Sequence, residues 1–184
     1  MAMKLENKVA IVTGSATGIG KGIALRFAAE GAAVVGFDIQ TEKAQETAAE
    51  IVAAGGKAVA FEVDVTDYEV VKAATDRVIE QFGQVDILVN NVGGSSGRDF
   101  AESTDEDWME TFNLNLFHAV KATRSALPYF RARGGGSVVT VASISGWKPS
   151  PSGAQYGATK AAEIFLSGAL AMELAPEKVR VNTV

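Results

Sequence analysis

The chain has 184 residues, 47% of them hydrophobic and 21% charged, with a formal net charge of −5 and a pI near 5.0, a composition that suits one substantial globular core over 1–184 rather than two domains. The acidic balance and scattered Lys and Arg argue against a nucleic-acid partner, and the absence of cysteine removes a disulfide scaffold or a thiolate nucleophile. A single histidine, His118, argues against a His-rich metal site.

At the N-terminus the apolar run Val9 to Val12, bracketed by Lys8 and Thr13-Gly14, is too short for a signal h-region or a membrane span. A cytoplasmic location is the expectation. That run opens the first buried-strand pattern, VAIVTG (Val9 to Gly14), which leads through TGSATGIG into a helical period from Ile19 to Glu30. Gly14, Gly18 and Gly20 thus follow a strand and open a helix, the context in which bare backbone turns tightly and free N–H groups meet a pyrophosphate. A plain tight turn is the structural alternative.

The second strand, Ala32 to Asp38, ends in Asp38, 18 residues after Gly20. A carboxylate there accepts hydrogen bonds from an adenosine ribose and repels a 2′-phosphate, and Ala16, Thr17 and Ile39 supply no cation for one. NAD is therefore expected over NADP. A helix from Glu42 to Ala54, a strand from Lys57 to Asp64 and a helix from Asp67 to Phe82 follow, with Thr66 and Glu69 as a capping-box candidate. Gly31, Gly55 and Gly83 stand just past the first three helices as stop signals.

The remaining pattern is a strand from Val85 to Asn91, a long helix from Asp105 to Arg131, a turn at RARGGGS, a strand from Ser137 to Ser143, a helix from Gln155 to Ala175 and a strand from Val179 to Val184. Six Val- and Ile-rich strands alternating with helices predict a doubly wound, Rossmann-like α/β fold: an open parallel sheet with helices on both faces and ligands at the carboxyl ends of its strands. On the last helix Tyr156 and Lys160 are four residues apart, a spacing that stacks them on one face but is weak evidence alone.

Taken together, TGSATGIG, NNVG (Asn90 to Gly93), Ser143 and YGATK resemble the classical short-chain dehydrogenase/reductase (SDR) family, over essentially the whole chain. The resemblance implies nicotinamide-dependent oxidation of an alcohol or reduction of a carbonyl, with Ser143, Tyr156 and Lys160 as catalytic residues and Asn115 holding water in a proton relay. Asn113 competes for that last role; Asn115, seven residues after Trp108, fits the family interval. Cofactor contacts are implied at Gly14, Thr17, Gly18, Ile19, Gly20, Asp38, Asp64, Val65, Asn91, Gly93, Tyr156 and Lys160. Asp64 resembles an adenine contact, with a helix-preceding turn as its alternative, and Asn90 a strand-stabilising or cofactor-side contact. The usual NNAG reads NNVG, so Val92 adds two methyls beside the cofactor without removing a donor or acceptor.

The chemistry explains the Tyr–Lys pair. A phenol with a pKa of about 10 is only about 0.1% ionised at pH 7, a penalty of roughly 4 kcal/mol for a base. A fixed ammonium nearby favours the phenolate. In oxidation Tyr156 takes the hydroxyl proton as hydride leaves the same carbon for the nicotinamide; in reduction it gives the proton back. Ser143 stabilises the charge on the substrate oxygen, and Lys160 has donors for the cofactor ribose. His118, Trp108, Phe112 and Phe117 read as packing or subunit-contact residues, and Trp147 as either a pocket wall or a structural plug.

Three functions compete: an NAD-dependent secondary-alcohol dehydrogenase or ketone reductase, an NADPH-dependent 3-oxoacyl-carrier-protein reductase, and a non-catalytic dinucleotide-binding regulator. The two longest helices carry apolar residues on more than one face, which predicts a homo-oligomer, dimer or tetramer. The family continues beyond the sixth strand with a substrate-covering helix pair and an edge strand, so the 184 residues are expected to be part of a longer polypeptide.

Overall fold

Strands and helices alternate through the computed structural model, which describes residues 3–94, 98–149, 151 and 153–184. In chain order they are β1 (Val9–Thr13), α1 (Gly18–Ala29), β2 (Ala33–Asp38), α2 (Thr41–Ala53), β3 (Lys57–Glu62), α3 (Tyr68–Phe82), β4 (Ile87–Asn90), α4 (Asp105–Phe112), α5 (His118–Arg133), β5 (Gly136–Thr140), α6 (Ala154–Leu174) and β6 (Val179–Thr183). All pairings are parallel, in the order β3-β2-β1-β4-β5-β6. The order reverses between β1 and β4, and the crevice that forms outside their carboxyl ends is where this class of sheet takes ligands.

The lack of polar alternation in the strands has a direct cause. Val9 and Ile11 of β1 point into a core shared with α3, α5 and the end of α6, whereas Ala10 and Val12 point into a second core shared with α1 and α2. Both faces are covered, so both parities must be apolar. Phe37 and Phe130, each at most 1% exposed, anchor the first core, each contributing about 1.5–3 kcal/mol by burial. Among the described residues no helix is long and apolar enough to cross a membrane.

Two local expectations are corrected. The cap of α3 is Asp67, whose side chain accepts from the Glu69 and Val70 N–H groups, because the Thr66 hydroxyl is already engaged with Asp64 at 2.7 Å. The Thr–x–x–acid capping box forms instead at Thr104 and Asp107, before α4. The long helix from Asp105 is not uniform either: a π-helical turn, Asn113–Phe117, separates α4 from α5, with the His118 N–H donating to the Asn113 carbonyl. Such turns widen the helix by one residue and recur at functional sites.

Candidate active site

The glycine turn is shaped by close approach. Gly14 has φ +68°, a left-handed conformation that suits glycine. A Cβ on Gly20 would lie 1.9 Å from the Gly14 carbonyl oxygen and 2.6 Å from Asn91 Nδ2, so only glycine lets α1 begin this near to β1. Asn91 stitches the turn to β4: its Nδ2 donates to the Thr13 and Gly14 carbonyls at 3.0 and 3.3 Å. Its own N–H donates to Thr13 Oγ1 at 2.9 Å. No side chain caps α1, and no acidic residue occupies its first turn. The N-terminal N–H groups of a twelve-residue helix therefore face the crevice unneutralised, the chemistry an anionic diphosphate fits.

Asp38 closes β2 at 7% exposure. One carboxylate oxygen accepts from the Ala16 N–H and the other from the Gln40 N–H, both at 2.8 Å. These bonds fix the carboxylate at the wall of a cleft of about 360 Å³ that Thr17, Ile19, Asp64, Val65 and Gly93 also line. Ile19 and Ile39, 65% and 68% exposed, form its apolar lip. Asp64 accepts through one carboxylate oxygen from both the N–H and the hydroxyl of Thr66 while lining the same cleft. The Thr66 bonds hold its carboxyl below the ordinary range, so it is a fixed anion at the cleft mouth. Asn90 is strand-stabilising: it is 1% exposed and donates to Thr123 Oγ1 at 3.3 Å. Val92 keeps its backbone bond to Thr13 Oγ1, so the added methyls do not disturb the strand end. Larger hollows lie at the opposite, amino-terminal edge of the sheet, one of about 450 Å³ lined by Lys8, Asp86 and Arg133, away from the strand ends that carry the candidate residues.

Beside this cleft the other candidates converge. Lys160, 2% exposed, donates from Nζ to the Val141 carbonyl at 2.9 Å and lies 5.6 Å from the centre of the Tyr156 ring. A Cβ on Gly93 would meet Asn115 Oδ1 at 2.8 Å and Lys160 Nζ at 3.2 Å, so the end of β4 threads between those two side chains. Asn115 sits in the π-helical turn, wholly buried, with Nδ2 donating to the Gly94 and Thr111 carbonyls and Oδ1 accepting from the Gly94 N–H. Asn113 Oδ1 instead accepts from Lys121 Nζ at 2.6 Å.

Ser143 precedes a 3-10 turn, Ile144–Gly146, and its Oγ accepts from the Ser145 N–H. That turn lies directly on α6: a Cβ on Gly146 would come within 2.8 Å of the Lys160 carbonyl carbon. Backbone contact thus sets Ser143 against the helix that bears Tyr156 and Lys160. His118 is fully buried and packed, and desolvation pushes its imidazole down to about 4 against the opposing pull of the Leu114 and Asn115 carbonyls. It is neutral at ordinary pH. Trp147 is 75% exposed; Ser150 and Ser152 of the same loop lie outside the described residues. One neighbour is absent from the sequence-based set. Glu163, 1% exposed, stands 2.9 Å from Lys160 Nζ.

A family model described as short chain dehydrogenase matches residues 8–184. The 3-oxoacyl-[acyl-carrier-protein] reductase of Thermotoga maritima is 36% identical over 182 residues, covering 99% of this chain and 74% of that protein. A solved 7 alpha-hydroxysteroid dehydrogenase complexed with NADH and 7-oxo glycochenodeoxycholic acid superposes with a TM-score of 0.95 at 35% identity, over 99% of this chain and 71% of that one. Carveol dehydrogenase from Mycobacterium avium in complex with NAD gives a TM-score of 0.93 at 34% identity, over 98% and 70%.

Proposed function

The chain belongs to the short-chain dehydrogenase family and is a nicotinamide-dependent oxidoreductase of CH–OH groups, and on that premise we propose that it is an NAD-dependent secondary-alcohol dehydrogenase or ketone reductase with Tyr156 as its proton-exchanging group. The observation that carries this reading is the junction of two features. Tyr156, Lys160 and Asn115 gather at the carboxyl end of β4, and the cleft beside them ends at the Asp38 carboxylate.

The bound nicotinamide supplies the hydride acceptor or donor; the rest falls to the chain's own side chains. Gly14, Gly18 and Gly20 with the start of α1 hold the diphosphate, and Asp38, its two N–H bonds leaving lone pairs on both oxygens, accepts from the ribose hydroxyls. Tyr156 takes the substrate hydroxyl proton in oxidation and returns it in reduction, while Ser143 Oγ donates to the substrate oxygen. The Lys160 ammonium favours the phenolate form of Tyr156 and offers a donor to the cofactor ribose. Both amide hydrogens of Asn115 are engaged, so its part in a water relay belongs to Oδ1 or to a main-chain carbonyl of the π turn.

Steady-state assays with NAD and NADP across secondary alcohols and ketones test the proposal, with NAD expected to give the higher kcat/KM. Asp38→Ala removes charge-assisted bonds worth about 1.5–3 kcal/mol, and NAD binding should weaken about 10- to 100-fold. NADP should weaken less, since the anion that repels its phosphate is gone. Equal loss for both would mean that Asp38 serves only to fix Ala16 and Gln40, and a parent enzyme as efficient with NADP would overturn the cofactor assignment. Reduction of a 3-oxoacyl thioester with NADPH is the second reading, supported by the name of the Thermotoga relative and opposed by Asp38.

We further propose a homo-oligomer, dimer or tetramer. Met109 on α4, Phe117 in the π turn, and Phe165 and Met172 on α6 are 62%, 39%, 81% and 82% exposed, apolar surface of the kind a subunit contact covers. Light scattering at micromolar concentration should give at least twice the monomer mass; a monomer would overturn this.

A further inference from the structure

Tyr156, Lys160 and Glu163 occupy positions i, i+4 and i+7 of α6, one face of two helical turns. The last of them is out of place as ordinary core. Its carboxylate is 1% exposed, and among the described residues no hydroxyl or peptide N–H donates to either oxygen. Its partner is the Lys160 ammonium at 2.9 Å, on the far side from Tyr156 along the helix. A small cavity of about 10 Å³ adjoins it, with Asn90, Thr123, Thr140 and Ser167 in its wall beside Val138, Leu166, Leu170 and Val181, so the carboxylate has a mixed polar and apolar flank. A buried ion pair is not explained by stability, because apolar residues of similar volume are usually as good or better there. Its consequence is electrostatic: Lys160 is the group expected to act on Tyr156, and Glu163 is paired with the same ammonium.

Resting on the assignment of Tyr156 as the proton-exchanging group, we propose that Glu163 is a positioning residue. It holds the Lys160 ammonium against the Val141 carbonyl and offsets part of its charge, and so sets the pH range in which Tyr156 exchanges its proton. Burial raises the Glu163 carboxyl above its ordinary range, and the Lys160 ammonium opposes that rise only in part. The elements packed on α6 contribute no competing charge at this point. From α5, His118 is neutral, and Lys121 is bound to the Thr66 carbonyl and to Asn113. From α4, Asp105, Glu106 and Glu110 are exposed and Asp107 caps its own helix; from β6, Arg180 is exposed; past α6, Glu177 is paired with Arg131. Glu163 is seven residues from Tyr156, or about 10 Å along the helix. At an effective dielectric of about 20, one unit of charge at that distance changes the phenol's titration by about one pH unit.

The test is a tyrosinate absorbance titration. The chain has three tyrosines, so the Tyr156→Phe titration is subtracted to isolate Tyr156. In Glu163→Gln the Tyr156 midpoint should fall by about one pH unit, and Glu163→Asp, which keeps the charge, should restore it to near the parent value. An unmoved midpoint in folded Glu163→Gln overturns the proposal, as does an equal shift in the Asp and Gln variants, which would assign the effect to packing. Should the Gln variant not fold, Glu163→Met, uncharged and of similar volume, carries the same expectation. The titration needs no substrate, so a parent protein that oxidises no alcohol would refute the proposed function while Glu163 is still judged by its own readout. Where turnover is present, the acid limb of kcat/KM for oxidation should move down by the same shift in Glu163→Gln, and a fixed limb overturns the proposal.

Discussion

Tyr156→Phe should reduce turnover at least about 1,000-fold while leaving NADH affinity, followed by fluorescence, within about twofold of the parent. The change removes one hydroxyl from a half-buried ring and leaves α6 and the Lys160 contacts with Val141 and Glu163 in place. What disappears is the group that exchanges the proton, and a general acid–base residue is worth about 100- to 10,000-fold. Lys160→Met behaves differently. It lowers turnover and NADH binding together, because the ribose donor is lost and Glu163 becomes a buried carboxylate without a counterion. Substantial turnover by Tyr156→Phe, within tenfold of the parent, would show that another group takes the proton.

Much of this site was legible because its signals are local. Buried strands covered on both faces leave unbroken Val and Ile runs, and the strand–glycine–helix order of TGSATGIG follows from the one geometry in which α1 can start beside β1. The spacing of Tyr156 and Lys160 survives as a contact because a helix turns the same way wherever it packs. What escaped depends on competition between neighbours. Thr66 and Asp67 are both good caps, and only the folded loop, in which Asp64 claims the Thr66 hydroxyl, assigns the role to Asp67. The π turn leaves the apolar spacing of the long helix nearly unchanged, yet it is what carries Asn115 inward to Gly94 and leaves Asn113 to Lys121. Glu163 stood in the same stretch as Tyr156 and Lys160, and the i, i+4, i+7 row was there to be counted. A lone carboxylate among alanines reads as a solvated charge until the packing shows that β5 and β6 cover it.

Gly20→Ala should remove both the fold around the first strand and the affinity for cofactor, and the reason is backbone rather than side chain. The new Cβ would sit 1.9 Å from the Gly14 carbonyl oxygen and 2.7 Å from its carbon, with Asn91 Nδ2 at 2.6 Å. No rotamer relieves a collision with main chain, so α1 must withdraw from the glycine turn, and the Asn91 bonds to Thr13 and Gly14 that tie β1 to β4 stretch with it. Overpacking of this kind costs about 3 kcal/mol or more, and because the displaced N–H groups are those expected to meet the diphosphate, NADH binding should weaken at least about 100-fold. Two other glycines of the same helix separate this mechanism from a general intolerance of alanine. A Cβ on Gly18 meets nothing within 4 Å, but its φ of +57° makes alanine strained, by about 1–2 kcal/mol. Gly22 has open space and ordinary helical backbone, so Gly22→Ala should stabilise the protein by about 0.5–1 kcal/mol. Thermal denaturation and NADH fluorescence titration on the three variants should therefore rank them Gly22→Ala, Gly18→Ala, Gly20→Ala from most to least stable. A Gly20→Ala protein that melts with the parent and binds NADH as tightly would mean that α1 can retreat from β1 without loss, and that the close approach of helix to glycine turn is not what holds the cofactor.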